Sequence, residues 1–588
     1  MPAQLSRSAL LPVLLGAALF AAAPARAQVP VGTPGAPAGA VLPPQGTPIP
    51  NLAPPDVPRV GPGTQTPGPV PAAPGVAGAV AVRAVRVDGA TAFPADQLLG
   101  LAGPLTGPAV PLARIEEART AILNRYREAG YVFTVVDATV ERDGTLRLVV
   151  GESEVTEVRL DGDIGPAGTQ VLRFLNNLVG QRPLDAATLE RWLLLASDVP
   201  GVALRSVLRP AGTVPGALSL VAQVGRQAVN GYVTADNRSS RVTGPEEFLG
   251  AAQFNSFTSL GERSELALYY ASGLTQIFGQ ASTEFFIGGS GLRARLYAGR
   301  GDANPSGALR ALGYEGETTV AGGSLSYPLI RQRQQTLLLS GTFDALETEI
   351  RVDGNDGREQ RLSRDSLRVI RLGADWAVYD LLLGDARPAA NTVVARLSQG
   401  LSAFGASRDG ASVSAAGLSR TGAQVDFTKI VVDATRAQTL FSPWPDATLT
   451  LQATIAGQYS ADVLPQAEKF YLGGNRLGRG FFSGEVTGDK ALAGSIELQL
   501  ATLLETQVLG RPVRIDPVLY AFYDVGQTWE NRREDSDRYL SSVGLGARMR
   551  LTEYLELQLE GVHRNTRRPS GGTAQKADAL FWRVLARF

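Results

Sequence analysis

From about residue 227 onward, apolar and polar side chains alternate one by one through segment after segment. In 449–459, Leu449, Leu451, Ala453, Ile455, Gly457 and Tyr459 face one way, and Thr450, Gln452, Thr454 and Gln458 face the other. Residues 492–500 set Leu492, Ile496, Leu498 and Leu500 opposite Ser495, Glu497 and Gln499, and 555–561 sets Leu555, Leu557 and Leu559 against Glu556, Gln558 and Glu560. A period of two is the mark of a strand with one apolar and one polar face. The closing segment repeats it: Leu580, Trp582, Val584, Ala586 and Phe588 share one side, with Phe581, Arg583, Leu585 and Arg587 on the other. A soluble sandwich would need cores for a dozen or more such strands with only Gly-rich turns between them. A closed transmembrane β-barrel, apolar toward lipid and polar toward a wet interior, accommodates them all. At about 9–11 residues per membrane strand plus turns, 227–588 holds about sixteen antiparallel strands, an even number so that first and last also pair antiparallel.

Upstream the period changes. Residues 82–87 read as a strand ending at Asp88-Gly89. A helix follows over 112–129, where Leu112, Ile115, Ala118, Ile122 and Tyr126 line one face, with Gly130 placed for a left-handed cap. Residues 132–142 and 145–150 form a hairpin about Asp143-Gly144. The order then recurs: a strand from Val155 to Asp161-Gly162, helical segments at 168–178 and 184–197, and closing strands at 202–209 and 217–224. The pattern predicts a tandem pair of small α+β modules, 80–152 and 153–226.

The amino terminus reads as a signal peptide over 1–27: Arg7, an apolar run from Ala9 to Ala23, and the small-x-small site Ala25-Arg26-Ala27. Residues 28–79, dominated by Pro, Gly and Ala, read as an extended periplasmic linker. Beyond residue 27 no apolar run is long enough for a membrane helix. An export signal and a barrel together place the chain in the outer membrane of a Gram-negative bacterium, with the α+β modules in the periplasm. The 56 basic and 56 acidic residues balance, which argues against a nucleic-acid partner. There is no cysteine, so disulfides and thiolate metal sites are excluded. The single histidine, His563, has no nucleophile motif beside it. No catalytic, metal or cofactor site is expected, and the chain does not read as an enzyme.

The densest motif is Phe470-Tyr471-Leu472-Gly473-Gly474-Asn475-Arg476-Leu477-Gly478-Arg479-Gly480-Phe481. Gly473, Gly474, Gly478 and Gly480 allow turns closed to other residues, but no Lys-Ser/Thr follows as a phosphate loop would require. Arg479 stands between two glycines, and a cation at such a tip inside a barrel needs a partner. Phe522-Tyr523-Asp524-Val525-Gly526 offers one: Asp524 falls in register with Tyr520 and Phe522 on one strand face.

With these motifs the chain resembles the two-partner secretion (type V) transporters of the haemolysin secretion/activation kind, within the superfamily of barrels carrying periplasmic POTRA domains. The resemblance rests on the two repeats, the opening at Asp236 to Gly244 (DNRSSRVTG), the following FNSFTSLGERSELALYY, the LGG…RGF loop, the FYDVG strand and terminal Phe588. It implies that the Gly-rich loop precedes the twelfth strand and folds back into the barrel. Five strand segments after it, 491–501, 514–529, 540–551, 555–566 and 579–588, agree with sixteen in all. It further implies that Arg479 pairs with Asp524, with Gly480, Phe481 and Phe522 around them, as a loop lock needed for secretion. Gly478 stands where the family usually has Val or Ile, which implies a more flexible tip. No amino-terminal plug helix is carried over, because 28–79 is too proline-rich. Phe588 and Trp582 are implied as the signal read by the barrel-assembly machinery. The implied partners are outer-membrane lipid and a secreted exoprotein, β-helical when folded and unfolded in transit, exported without nucleotide hydrolysis. A barrel-assembly factor of the same superfamily and a passive porin are the alternatives; the first typically carries more POTRA copies and the second has neither POTRA repeats nor an RGF loop.

Overall fold

The computed structural model describes residues 78–306, 308–354, 358–408, 417–508 and 511–588. The signal peptide and nearly all of the linker read in the sequence lie outside the described residues.

Each α+β module packs helices on one face of a three-stranded sheet whose last strand is central. In the first, Thr145–Gly151 lies between Ala84–Asp88, parallel to it, and Val135–Val140, antiparallel. In the second, Ala217–Arg226 lies between Glu154–Asp161, parallel, and Val202–Pro210, antiparallel. Helices Ala95–Ala102 and Leu112–Glu128 bury Leu98, Ile122 and Tyr126 against Leu146 and Leu148. The second helix stops at Gly130, whose φ of +93° closes the turn as Tyr131 N–H donates to the Tyr126 carbonyl. Helices Ala167–Leu175 and Ala186–Ser197 bury Val171, Phe174 and Leu195 against Leu220.

The strand expected over 82–87 is two strands. Arg83 breaks away to donate its N–H to the Gly144 carbonyl. Ala79–Val82 then pairs with Gly107–Pro111, a short ribbon that the sequence reading did not contain. The proline at each end of Pro108–Pro111 hides that strand, since proline suits only edge positions.

At the module junction Glu152 is buried. It accepts from the backbone N–H groups of Thr91 and Ala92 and from the Tyr126 hydroxyl, and Arg182 stands 3.8 Å away. Burial works to raise its pKa, but these hydrogen bonds outweigh it and hold the carboxyl below the usual range. Burial and the same carboxylate push the Tyr126 phenol up.

The rest is a closed barrel of sixteen antiparallel strands, from Val229–Asp236 to Asp578–Arg587, which pair with each other to complete the ring. Lys490–Ala501 and the short Leu504–Val508 are two parts of the twelfth, both paired with the thirteenth, Arg511–Trp529. Outward side chains such as Leu268, Leu372, Ile496 and Leu545 are exposed, whereas Asp344, Asp375, Ser495, Glu497 and Glu560 are buried inside. This is the inverse of a soluble protein and the arrangement a bilayer requires. Among the described residues no helix is long and apolar enough to cross a membrane.

The second module is fixed to one rim of the barrel. Phe286, from the end of the fourth strand Gln276–Phe286, sits in the module's core with its ring 5.0 Å from Phe174. Asp198 accepts from Arg331 at 2.7 and 2.8 Å, and Arg191 donates to the Pro328 carbonyl at 3.0 Å. This module-bearing rim carries the turns after the even-numbered strands.

Candidate functional site: a loop fastened inside the barrel

The segment between the eleventh strand, Thr448–Ser460, and the twelfth leaves the opposite rim and turns back into the lumen. Its stem is the ribbon Phe470–Leu472 with Val486–Gly488, and its tip is 473–485. Phe481 is wholly buried with Leu472, Leu477, Ala493 and Leu540, so the tip has an apolar anchor of its own.

The wall that receives the tip is a row in register across four strands. Ser495 faces Asp524, Asp524 faces Ser542, and Ser542 faces Arg564. Inward alternation along each strand aims all four side chains at the lumen. Arg479 meets this row. Its Nη2 donates to Asp524 Oδ1 at 2.9 Å and its Nε to Oδ2 at 3.0 Å, while the Arg479 backbone N–H donates to Oδ2 at 2.8 Å. Ser495 braces the pair, accepting from Arg479 at 2.9 Å and donating to Asp524 at 2.7 Å. The guanidinium carbon lies 3.7 Å from the centre of the Phe522 ring. Arg479 is 4% exposed and Asp524 0%. Charges this deep persist only when paired and hydrogen-bonded.

Glu497 joins them through a short contact with Arg479, and is itself held by Arg548 at 3.0 Å and Gln499 at 2.8 Å. The sequence marks Glu497 only as part of a polar strand face. Its parity with Ser495 was the available signal.

The glycines have separate reasons. Gly473 and Gly474 have φ of +109° and +102°. Gly478 has φ of +75°, and an added Cβ would lie 2.9 Å from Leu540 Cδ1, so the position that departs from the family pattern is closely packed. Gly480 is needed for space: a Cβ there would lie 2.4 Å from Ser542 Cβ. Its N–H donates to Ser542 Oγ at 3.1 Å and its carbonyl accepts from Arg564. Phe588 and Trp582 lie apart from this site, on the barrel's closing strand. Phe588 exchanges backbone hydrogen bonds of 3.0 Å with Gly231 of the first strand, across the seam.

Two further ionic clusters hold the loop, and sequence reasoning missed both. At its base, Glu468 pairs with Arg371 and Lys429 at 2.6 Å each, and Arg371 also pairs with Asp344 at 2.6 Å. At the loop's return, Asp489 accepts from Arg420 at 2.6 and 3.0 Å, and Lys469 pairs with Glu530 at 2.6 Å. From the first outer loop, Arg238 contacts Glu560, lies 4.0 Å from the Phe581 ring centre, and donates to Asn475 at 3.2 Å. The arrangement is a fastening: a loop inside the lumen tied to opposite walls by ion pairs that bury almost no net charge.

Comparison with known proteins places this architecture. Residues 287–549 match the family described as haemolysin secretion/activation protein ShlB/FhaC/HecB, and residues 80–153 match the ShlB-type POTRA domain. The fold is similar to that of CdiB from Escherichia coli, with a TM-score of 0.68 and 17% identity over 90% of this chain and 94% of that one. CdiB from Acinetobacter baumannii is similar at a TM-score of 0.59 and 16% identity, over 87% of this chain and 91% of that one. No curated protein sequence matches.

Proposed function

We propose that this chain, which belongs to the haemolysin secretion/activation (ShlB/FhaC/HecB) family, captures an unfolded secreted partner on its POTRA sheets and passes it outward through the barrel once the inserted loop withdraws. It is a two-partner secretion transporter of the Omp85 superfamily, an outer-membrane β-barrel acting with a secreted exoprotein. The finer steps are our reading. Among the described residues Ala84–Asp88 and Val202–Pro210 each pair on one side alone, so these edges offer main-chain hydrogen bonds to an extended polypeptide. Pairing of that kind tolerates many sequences, which suits a chain that must keep moving. Folding of the exported protein outside then makes return unfavourable, so no nucleotide is needed. In this reading the POTRA domains are periplasmic, and Phe588 and Trp582 on the closing strand engage the assembly machinery.

The observation that carries this is the loop itself: a segment folded into the lumen and held there by buried but breakable ionic fastenings is a gate, which a passive pore would not need. The test is deletion of 80–226. Conductance without secretion supports capture by the POTRA domains; secretion that persists would refute it.

A further inference from the structure

The turn between the eighth strand, Glu359–Asp380, and the ninth, Ala389–Gly400, exposes three successive leucines. Leu381, Leu382 and Leu383 are 42, 80 and 56% exposed, and the turn projects from the POTRA-bearing rim. Above it the outer wall is apolar, with Leu372 and Trp376 on the eighth strand and Leu397 on the ninth. At the ends of these strands the outward residues become polar. Arg436 of the tenth strand donates to Asp380 at 2.8 and 3.2 Å and to Asn391 at 2.7 Å. An apolar turn beyond a polar girdle is not what a water-facing turn requires.

The turn is also hydrogen-bonded within itself and tied to the outer side of the wall. Leu382 N–H donates to Asp380 Oδ1 at 3.1 Å, and Gly384 N–H to the Leu381 carbonyl at 2.8 Å. Gln438, whose side chain shares the outward face with Arg436, donates to the Arg387 carbonyl at 2.7 Å. Both arms are therefore held by outward-facing residues, and the leucines continue the lipid-contacting belt rather than the lumen. The adjacent turn on the same rim exposes Phe441 and Trp444, the residue types that settle at a bilayer's interface.

We propose that Leu381–Leu383 is an anchor that folds outward into the interfacial layer of the near leaflet, level with the Arg436–Asp380 pair at the lipid headgroups. The wedge sets how deep the POTRA-bearing rim sits and fixes the POTRA domains relative to the bilayer. This inference rests on the membrane-spanning reading of the barrel, and its test separates the two. Because the chain has no cysteine, single Leu382→Cys, Leu397→Cys and Val214→Cys variants can each carry one environment-sensitive fluorophore. The full chain is placed in phosphatidylethanolamine–phosphatidylglycerol nanodiscs with nitroxide at the lipid headgroup or along the acyl chain. Leu397 reports the wall; Val214, in the far hairpin of the second module, reports water. The expected result is strong quenching at 382 by shallow nitroxide, quenching at 397 by deeper nitroxide, and neither at 214. Quenching at 397 with iodide-accessible, lipid-unquenched fluorescence at 382 would overturn the anchor and leave the barrel reading standing. Protection of 382 only after adding a secreted polypeptide would also overturn it, making the turn a protein contact. No lipid quenching at 397 would sink both.

Discussion

Replacing Arg479 with Ala tests the fastening most directly. The substitution removes one buried cation and leaves two buried carboxylates, Asp524 and Glu497. Unmaking a buried pair from one side costs about 3–5 kcal/mol, because the remaining charge is stranded. Here the stranded groups keep some support. Asp524 still accepts from Ser495 and from the backbone N–H of residue 479, and Glu497 keeps Arg548 and Gln499. The lower end, about 3 kcal/mol, is therefore expected, which corresponds to roughly a 150-fold shift toward the withdrawn loop. The assay is the labelling rate of a Leu477→Cys reporter, buried at the tip, by a membrane-impermeant maleimide in reconstituted protein, run as a cycle with Asp524→Asn. Paired residues should give a coupling energy of at least about 1 kcal/mol, since contacting residues depart from additivity by roughly 0.5–3 kcal/mol. An unchanged labelling rate, or single effects that simply add, would refute the reasoning. Secretion should nevertheless fall while barrel levels in the membrane hold, because export is expected to need the loop to refasten as well as to withdraw; loss of the protein itself would make Arg479 a structural residue instead.

Asp524→Ala should reproduce the secretion defect of Arg479→Ala, and a secretion assay showing wild-type export would contradict the lock. Glu468→Gln leaves Arg371 and Lys429 facing a neutral amide, so loop labelling and conductance should rise, the cost again being roughly 3 kcal/mol; planar-bilayer recordings identical to wild type would show that the base cluster does not retain the loop. Gly480→Ala places a Cβ against Ser542 and should displace the tip at a cost of about 1–3 kcal/mol, read as faster labelling at the same reporter. For Glu152 the folded pKa lies below the unfolded value of about 4.5. Its contribution to the POTRA junction is thus complete above that value and fades as pH falls through the folded one. Hydrogen exchange of the Leu112–Glu128 helix should accelerate on acidification over this window in wild type and be flatter in Glu152→Gln; identical acid profiles would dismiss the junction carboxylate.

What the sequence determined by itself is whatever repeats over short distances. Alternation along 492–500 and 555–561 assigns Ile496 and Leu498 outward and Ser495 and Glu497 inward, because neighbouring strand residues must point to opposite faces. A sixteen-strand closed barrel followed from the number and length of such segments. The repeat of strand, helices and closing strands upstream was equally local, and both modules put the last strand in the middle. Only the tertiary structure decided which inward charges meet. Glu468 finds Arg371 and Lys429, and Arg238 finds Glu560 over 300 residues away, because ring closure and a returning loop bring distant strand faces together. The strand break at Arg83 was hidden for the same reason, since it depends on the carbonyl of Gly144 in another hairpin. Periodicity is written in adjacent residues. Electrostatic partnership is a property of the closed cylinder, where low dielectric and a filled lumen make each unpaired charge costly enough to select its neighbour.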